Sequence, residues 1–429
     1  MKLRRIFTLL ITFVMGIAFF LPNVFANTTN FPSDTSDFSE VHIIEGVPYV
    51  AQNGTYFCYY ACLTMIFDYM ELNASLNEMS FYGGVGYTHS YGSDERLPND
   101  IIYFNLNFVF DMYGVTEQEW QVSNPNLPKD ELWEQYYARL KENISKDTPV
   151  MVAVDPFSMP SLRNQFIIND FLWNLFFPPG FHLIVVIGYN DTNQSICYND
   201  PNAGFYGANR YGDHVWMALG KFREAVEKNK YNVYLISTYK QIYQPYTKKE
   251  AFEAAFRKNI ENLKGNFSHW ILGINASKKM QLDFSPGKNS KETRLLYKKY
   301  GKTGLNFILT DFIHKWCSIL YPQKPTIFDI LSIGTDDPYK EIAFGKNHIA
   351  NFLENCSIHP DLCKNQSNLL MQEAAKWNEL SQNYKIFLRR GILLSDLRAA
   401  LVMVKMEKLI ENIIGIEEAL ISESSDSST

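Results

Sequence analysis

A cysteine at position 58 and a glutamine at position 52 have the types and the spacing of a thiol nucleophile and an oxyanion donor. The residues after Cys58 repeat at the intervals of one helix face, so we expect an amphipathic helix that begins at the cysteine. The positive end of a helix dipole favours the nucleophilic thiolate form of a cysteine in the first turn. The side-chain amide of Gln52 can donate to the negative charge that forms on a carbonyl oxygen beside the sulfur. The apolar or small residues of the repeat are Ala61, Cys62, Met65, Ile66, Tyr69 and Met70.

A histidine and an aspartate further along the chain can complete such a site. His182 begins an almost continuously apolar segment, which is typical of a strand buried on both faces. A polar turn near Asp191 and a second apolar segment at 195–199 predict a β-hairpin. If the turn centres near Asp191, the numbers of opposite residues sum to about 382, which places Asp200 across from His182 within one or two residues. A carboxylate there would hold one ring nitrogen of the imidazole and leave the other for the thiol.

Other cysteines and histidines fit this chemistry less well. Cys62 lies one turn inside the predicted helix, where a thiol is more often a small core residue than a nucleophile. Cys58 and Cys62 have the spacing of two metal ligands, but no pair of histidines accompanies them at ligand spacing. We therefore expect no metal and no other cofactor. His214, in a Gly/Tyr-rich loop, is the alternative general base, and His89 is interpreted as an incidental loop residue.

The composition is that of a globular protein with two or three domains. The chain has 429 residues, of which 46% are hydrophobic, and its formal net charge is -6. The charges are spread along the sequence, so nothing favours nucleic acid or an anionic membrane as a partner.

The N-terminus predicts export. Residues 1–26 have a basic start, an apolar run at 6–21 and the short side chains at 24–26 that precede a signal-peptide cleavage site. No later segment is apolar enough to span a bilayer, so we expect a secreted or periplasmic protein, with an uncleaved anchor as the alternative. In an oxidising compartment Cys356 and Cys363, which flank a short polar loop, either pair or stay reduced, and the sequence leaves both open.

The chain changes character near residue 240. Strand and helix patterns alternate before it, helical patterns follow it, and a Lys/Ser/Pro/Gly-rich stretch at 276–291 has the composition of a linker. The expected divisions are a signal peptide at 1–26, a flexible leader at 27–40, an α+β domain at 41–240, a helical domain at 241–422 and a disordered tail at 423–429.

Several of these segments together resemble a known enzyme family. Their order is similar to that of papain-like cysteine peptidases of the double-glycine-leader, bacteriocin-processing type. The related group that resembles the N-terminal part of butirosin biosynthesis protein H shares this order. The resemblance covers about residues 41–240 and implies a papain-like α+β fold, with an N-terminal helix packed on an antiparallel sheet. An all-α C-terminal domain is expected to follow. The segments are Val47-Pro48-Tyr49-Val50-Ala51-Gln52, Cys58 with Ala61 and Met65, Gly180-Phe181-His182, Gly188-Tyr189 and Asn199-Asp200-Pro201.

The resemblance also implies roles for four residues. Cys58 is the nucleophile, His182 the general base and acid, Asp200 the residue that orients the histidine, and Gln52 the oxyanion donor. The leading expectation is hydrolysis of an amide bond in a peptide through a thioester acyl-enzyme. Two alternatives stay open: an acyltransferase that uses the same site, and an inactive module that only binds a peptide. Tyr59 stands where glycine usually follows the cysteine, and its bulk favours the inactive alternative.

Overall fold

A computed structural model gives the positions of most residues between Ser39 and Asp426. The predicted signal peptide, nearly all of the predicted leader and a further stretch at 305–319 with a helical sequence pattern lie outside the described residues. The described ranges are 39–52, 57–90, 99–100, 105–121, 126–160, 180–204, 212–229, 234–265, 272–284, 338–391 and 396–426.

Antiparallel strands and helices make up the described chain, and the helices dominate after residue 247. This confirms the predicted α+β class with a helical C-terminal region. The strands are β1 (Val41–Ile43), β2 (His89–Ser90), β3 (Asn99–Asp100), β4 (Val115–Gln121), β5 (Val150–Val154), β6 (His182–Asn190), β7 (Ser195–Asn199), β8 (Val215–Ala218) and β9 (Leu235–Gln241). The helices are α1 (Cys58–Tyr69), α2 (Leu76–Tyr82), α3 (Leu106–Tyr113), α4 (Lys129–Ile144), α5 (Leu219–Lys228), α6 (Lys248–Leu263), α7 (Gly273–Phe284), α8 (Pro338–Glu354), α9 (Pro360–Gly391) and α10 (Asp396–Asp426). Short 3-10 turns lie at Pro156–Ser158 and Pro201–Gly204.

The described residues form two compact units. The first contains residues up to Glu45, Trp120–Asn199 and Asp213–Ile236. The second contains Gly46–Glu119, Asp200–Gly212 and the residues from Ser237 onwards. One boundary between the units lies between Ile236 and Ser237, close to residue 240, where the composition of the sequence changes.

Strand β6 is the buried centre of the first unit. Its residues from His182 to Tyr189 are all buried, as its continuous apolar sequence predicted. It pairs antiparallel with β5 and β7, and β7 pairs with β8, which confirms the predicted hairpin. In the observed register Val185 lies opposite Asn199, two residues further along β6 than the predicted sum of about 382 requires. The difference arises because Asn190 pairs with Ser195, a sum of 385, which centres the turn later. The register shift between Val186 and Gly188 then lowers the sum to 384.

Helix α1 is the buried centre of the second unit. It begins at Cys58, as predicted, but its residues from Tyr60 to Phe67 are all buried rather than only one face. A helix that is covered on all sides needs close neighbours, and two of these contacts explain the burial. The hydroxyl of Tyr60 lies against Gly83, where any side chain would collide with it. The ring of Phe67 packs edge-on against Tyr113 of α3, with ring centres 5.3 Å apart.

Helix α2 ends at Tyr82, directly before the glycines at 83 and 84. Ser75 caps this helix by accepting a hydrogen bond from the backbone N–H of Glu78. Phe81 stacks on Phe252 of α6, with ring centres 5.0 Å apart and an interplanar angle of 20°. The side chain of Asn259, also on α6, donates to the carbonyl oxygen of Phe81 over 2.8 Å. The C-terminal helices thus help to complete the core around α2.

Two further segments are more helical than their composition indicated. Helix α7 lies in the stretch expected to be a linker, and α10 continues to Asp426 and so includes the first four residues of the expected disordered tail. Ala276 and Met280 of α7 are buried in one core cluster with Trp377 of α9. Tertiary burial of these residues overrides the weak helical signal of the surrounding Lys and Ser residues. Within the described part of the chain, no helix is both long enough and apolar enough to cross a bilayer.

Four ionisable side chains form a buried ionic network in the second unit: His89, Lys346, Glu373 and Glu417. The ammonium of Lys346 lies 2.7 Å from the carboxylate of Glu373, and both side chains are fully buried. The Nε2 of His89 lies 3.1 Å from the carboxylate of Glu417, and the Ser277 hydroxyl donates to that carboxylate over 3.1 Å. His89 is therefore a core residue of this network and not an incidental loop residue.

Burial shifts the proton equilibria of the buried ionic network. It raises the pKa of Glu417 to about 7 and the pKa of Glu373 above its ordinary value, and Lys346 opposes both shifts. It lowers the pKa of His89 to about 3, with Lys346 acting in the same direction. Compared with the unfolded chain, the folded protein therefore favours the protonated form of Glu417 and the neutral form of His89.

The shift at Glu417 predicts a measurable dependence of stability on pH. A carboxyl group with an ordinary pKa of about 4.3 in the unfolded chain and a higher one in the folded chain stabilises the fold at low pH. That stabilisation is lost as the pH rises through about 7. Relative to Glu417→Gln, which keeps a neutral side chain, the wild-type free energy of unfolding should fall by about 3 kcal/mol between pH 4 and pH 8.

Urea unfolding of both proteins at a series of pH values measures this difference. His89 has the opposite effect on stability, because the stabilisation from its lowered pKa is lost as the pH falls below about 6.5. This effect is present in both proteins, so it largely cancels in the difference between their free energies of unfolding. A difference between the two proteins that stays constant across this pH range would contradict the prediction.

Candidate active site

Cys58 is the first residue of α1 and is largely buried, with 4% of its surface exposed. Phe57, which precedes it, has an apolar side chain and cannot cap the helix N-terminus. The backbone N–H groups of the first turn therefore direct their partial positive charge towards the thiol. This is the placement that the sequence predicted for the nucleophile.

Gln52 is anchored to the turn that contains Asp200. Its backbone N–H donates to the carbonyl oxygen of Pro201 over 2.9 Å, and its side-chain Nε2 donates to Oδ1 of Asn202 over 3.3 Å. Both bonds join residues that are about 150 positions apart in the sequence. The predicted oxyanion donor is thus fixed by main-chain and side-chain contacts to the segment of the predicted orienting residue.

Asp200 is buried and its backbone is fixed on both sides. Its N–H donates to the carbonyl oxygen of Gly212 over 2.7 Å, and its own carbonyl oxygen accepts from the hydroxyl of Tyr49 over 3.1 Å. Its carboxylate Oδ1 accepts from the backbone N–H of Asn202 over 2.9 Å. Asn202 therefore contacts both Asp200 and Gln52, a role that the sequence analysis missed because no local pattern marks it.

Cys62 lies one turn after Cys58 on α1 and interacts electrostatically with both Cys58 and Asp200. Burial raises the pKa of Cys62 well above its ordinary value, and these two charges raise it further. Cys62 is thus held as a neutral thiol in the core, which agrees with its interpretation as a core residue. Helix α1, which begins at Cys58, contacts the 3-10 turn Pro201–Gly204 that follows Asp200, and Gln52 is bonded to the same turn.

His182 belongs to the first unit, where it is the first residue of β6 and lies opposite Val154 of β5. Asp155, the next residue after Val154, fixes the approach to the histidine. Its Oδ1 accepts from the backbone N–H of Gly180 over 2.9 Å, and its Oδ2 accepts from the hydroxyl of Ser158 over 2.7 Å. Asp155 was not identified from the sequence, although an aspartate directly after an apolar strand was the available signal.

His214, the alternative general base, lies in an exposed turn of the first unit. Its ring is paired with Asp213, and 42% of its side chain is accessible to solvent. Its backbone has a φ angle of 50° and its N–H donates to the side chain of Asn199 over 2.8 Å. These contacts fit a structural turn residue with a solvated ring, which is how the sequence analysis ranked it against His182.

The two tyrosines after Cys58 pack within the second unit, where Tyr59 is half-buried and Tyr60 is buried. The hydroxyl of Tyr59 lies 3.4 Å from both Glu117 and the hydroxyl of Tyr239, which itself donates to Glu117 over 2.9 Å. Burial, followed by the charge of Glu117, raises the pKa of Tyr59 above its ordinary value, so its hydroxyl stays protonated. Tyr60 packs against Gly83. The bulk of Tyr59 is therefore taken up by packing, which weakens the argument from its size for an inactive site.

In the described part of the chain, three side chains of the buried ionic network are of the types that bind metal ions. Ligand atoms of His89, Glu373 and Glu417 are all within 4.8 Å of one another. The ammonium of Lys346 already supplies a positive charge 2.7 Å from Glu373. A divalent ion would add its charge next to this buried ammonium, so we assign these residues to the ionic network and not to a metal centre.

Comparison with known protein families finds a match for part of the chain. Residues 44–223 match the Peptidase_C39 like family, and this range contains Gln52, Cys58, His182 and Asp200. No curated protein matches the sequence. The family match confirms the resemblance to papain-like cysteine peptidases that the order of the motifs indicated. Residues 44–223 of the chain are thus similar to the Peptidase_C39 like family, which is one of papain-like cysteine peptidases.

Proposed function

We propose that the chain is a cysteine hydrolase that cleaves a peptide amide bond through a thioester on Cys58. The observation that carries the proposal is that Gln52 is bonded to the turn directly after Asp200, and that this turn also contacts the helix that begins at Cys58. The family, which is one of papain-like peptidases, supports a peptide as the substrate. His182 completes the proposed site as the proton carrier.

In the proposed reaction the Cys58 thiolate attacks the carbonyl carbon of the scissile amide. The carbonyl oxygen takes up the electron pair of the double bond, and the side-chain amide of Gln52 donates to this oxyanion. The protonated His182 gives its proton to the leaving amine as the C–N bond breaks, and a thioester remains on Cys58. His182 then takes a proton from water, the hydroxide attacks the thioester, and the thiolate is released. Asp200 keeps the ring of His182 oriented throughout.

Acyl-enzyme trapping tests the proposed function. A short peptide with an activated C-terminal ester should add its acyl mass to the protein in a rapid first turnover, and peptide mapping should place it on Cys58. Cys58→Ser should lose the adduct. If the wild-type protein is acylated no faster than its Cys58→Ser variant, the enzyme proposal should be dropped in favour of an inactive binding module. Transfer of the acyl group to an added primary amine in preference to water would favour the acyltransferase alternative.

Replacing Gln52 with alanine should lower kcat by about 10²–10³, the usual contribution of one oxyanion donor. KM should change little, because the donor acts mainly on charge that develops in the transition state. Steady-state kinetics on a chromogenic peptide measures both constants. Gln194→Ala, which changes a glutamine in the hairpin turn of the first unit, is the matched control and should retain wild-type kcat. A rise in KM at unchanged kcat would show that Gln52 binds substrate instead.

We also propose that the protein acts outside the cytoplasm, supported by the basic start, apolar run and cleavage pattern of residues 1–26. N-terminal sequencing of the exported protein should then begin at Asn27. A sequence that begins at Met1 would show that the segment is retained as an anchor.

A further inference from the structure

Phe57, the residue directly before Cys58, packs against two aromatic side chains of the C-terminal helix α8. Its own ring is buried. The ring of Phe344 meets it edge-on with ring centres 5.6 Å apart, and the imidazole of His348 meets it edge-on at 4.9 Å. Phe344 and His348 lie one turn apart on α8 and stack on each other, with ring centres 6.3 Å apart and an interplanar angle of 15°. The three rings form one group, which we call the Phe57 cluster.

The backbone of Phe57 closes the helical turn that contains the proposed nucleophile. Its carbonyl oxygen accepts a hydrogen bond from the N–H of Ala61 over 2.9 Å, and Cys58 lies inside the turn that this bond closes. The side chain of Phe57 makes no capping hydrogen bond, so the helix start lacks the polar cap that fixes many others. Tertiary packing supplies most of the stability of a helix in a protein. The packing of Phe57 therefore stabilises the first turn of α1.

Helix α8 is itself fixed to the second unit at the level of the two aromatic residues. Lys346 lies between them in the sequence, and its ammonium donates to the carbonyl oxygen of Gly86 over 2.8 Å. A side chain at Gly86 would come within 3.2 Å of the carbonyl oxygen of Gly345, so the turn after α2 approaches the backbone of α8 closely. These contacts leave α8 little freedom to shift. The helix thus presents a fixed surface to Phe57.

His348 contributes a neutral aromatic ring to the Phe57 cluster. Burial lowers its pKa to about 4, so at neutral pH it carries no charge that could act on a nearby thiol. Its Nε2 is buried, and among the described residues this atom has no hydrogen-bond partner. An unpaired buried nitrogen destabilises a fold. Its contacts with Phe57 and Phe344 are therefore what the imidazole offers at this position, and a phenyl ring should serve equally well.

We propose that Phe344 and His348 are positioning residues for Cys58. They act through Phe57, whose ring they fix in place, and so keep the first turn of α1 closed around the thiol. The partial positive charge of a helix start acts within the first turn only, so this turn must keep its shape for the thiolate to be favoured. The inference rests on the proposed function, in which Cys58 is the nucleophile, and it gives the helical C-terminal region a part in that function.

Two measurements on the full-length protein test the proposal: the pH midpoint of Cys58 alkylation by iodoacetamide, and the rate of acylation by the activated peptide ester. In Phe344→Ala and His348→Ala the midpoint should rise by roughly 0.2–1.5 pH units, the span of one helix-end interaction. The maximal acylation rate should fall by about 10–10²-fold, as expected for a displaced reacting group, at a nearly unchanged half-saturating ester concentration. If an alanine variant does not fold, Phe344→Leu replaces it, and a smaller shift in the same direction is expected.

Two further variants separate positioning from a general loss of stability. His348→Phe keeps a ring in the cluster and removes the unpaired nitrogen, so it should restore the wild-type midpoint and rate. Phe352→Ala is the matched control on α8, because Phe352 packs on Phe81 and Phe252, with ring centres 5.3 and 6.5 Å away, and not on Phe57. Urea unfolding should show a loss of stability in this control, whereas its midpoint and rate should remain those of the wild type.

Failure of this proposal and failure of the proposed function give different results. If the wild type is acylated no faster than Cys58→Ser, the proposed function fails, and the alkylation midpoints alone then decide the positioning role. If the wild type is acylated but the variants at Phe344 and His348 change no more than Phe352→Ala does, the two residues only stabilise the fold and the proposal is overturned. It is also overturned if His348→Phe fails to restore the midpoint, because the imidazole itself would then be required.

Discussion

Replacing His182 with glutamine is expected to lower the turnover of a peptide amide by roughly 10³–10⁴-fold, the upper range for loss of a general acid and base. Glutamine is polar and similar in length, so it suits a buried position at the start of a strand better than alanine does. It cannot carry the proton from the thiol to the leaving amine. An amide needs that proton to leave, whereas an activated ester does not, so the loss should be larger for the amide than for the ester. Steady-state rates on the two substrates measure this difference.

His214→Gln is the matched control, because it makes the same chemical change at an exposed histidine of the same unit. Its turnover should remain close to that of the wild type. Thermal unfolding of both variants shows whether the fold is retained. If His214→Gln loses activity while His182→Gln keeps it, the general base has been assigned to the wrong histidine.

Replacing Lys346 with methionine is expected to lower the free energy of unfolding by about 3–5 kcal/mol, the usual cost of removing one partner from a buried ion pair. Methionine has a similar length and apolar stem, so the change removes the charge with little change in volume. The carboxylate of Glu373, 2.7 Å from the ammonium, would be left buried without its cation. The carbonyl oxygen of Gly86 would also lose its hydrogen bond from the ammonium. Chemical denaturation at neutral pH measures the loss.

Lys376→Met is the matched control, because Lys376 makes a surface ion pair with Glu379 on α9. Such pairs contribute roughly 0–1 kcal/mol, so this variant should unfold close to the wild type. Adding Glu373→Gln to Lys346→Met should recover part of the stability, because it removes the uncompensated charge. Equal losses for the two lysine variants, or no recovery in the double variant, would mean that the buried ionic network contributes little to stability.

Local sequence patterns were sufficient for several elements of the fold. The helix that begins at Cys58 and the apolar strand from His182 were both predicted at their observed starts, because their patterns of apolar residues mark them. The helix at Gly273–Phe284 was missed because its residues Ala276 and Met280 are buried only by contacts with distant helices. The hairpin register differed by two residues because the turn centres later than Asp191, as the pairing of Asn190 with Ser195 shows.

The candidate site shows the same limit. Cys58 and Gln52 were predicted because they are close in sequence and one of them begins a helix. Asn202 was missed because its side chain bonds to Gln52, about 150 positions away in the sequence. Asp155 was missed because it bonds to the backbone of Gly180, which lies beyond a long connection. The buried ionic network was missed for a related reason, since its members are spread over the chain and each would be read as a surface residue by type.

The pH dependence of alkylation at Cys58 tests the central claim most directly. Wild-type protein and His182→Gln are treated with iodoacetamide at a series of pH values, and fragment masses separate Cys58 from Cys62. We predict a half-maximal rate at Cys58 below about pH 7 in the wild type, and a shift towards about 8.5, the value of an ordinary thiol, in His182→Gln. The same midpoint near 8.5 in both proteins would contradict the assignment of Cys58 as a nucleophile activated by His182.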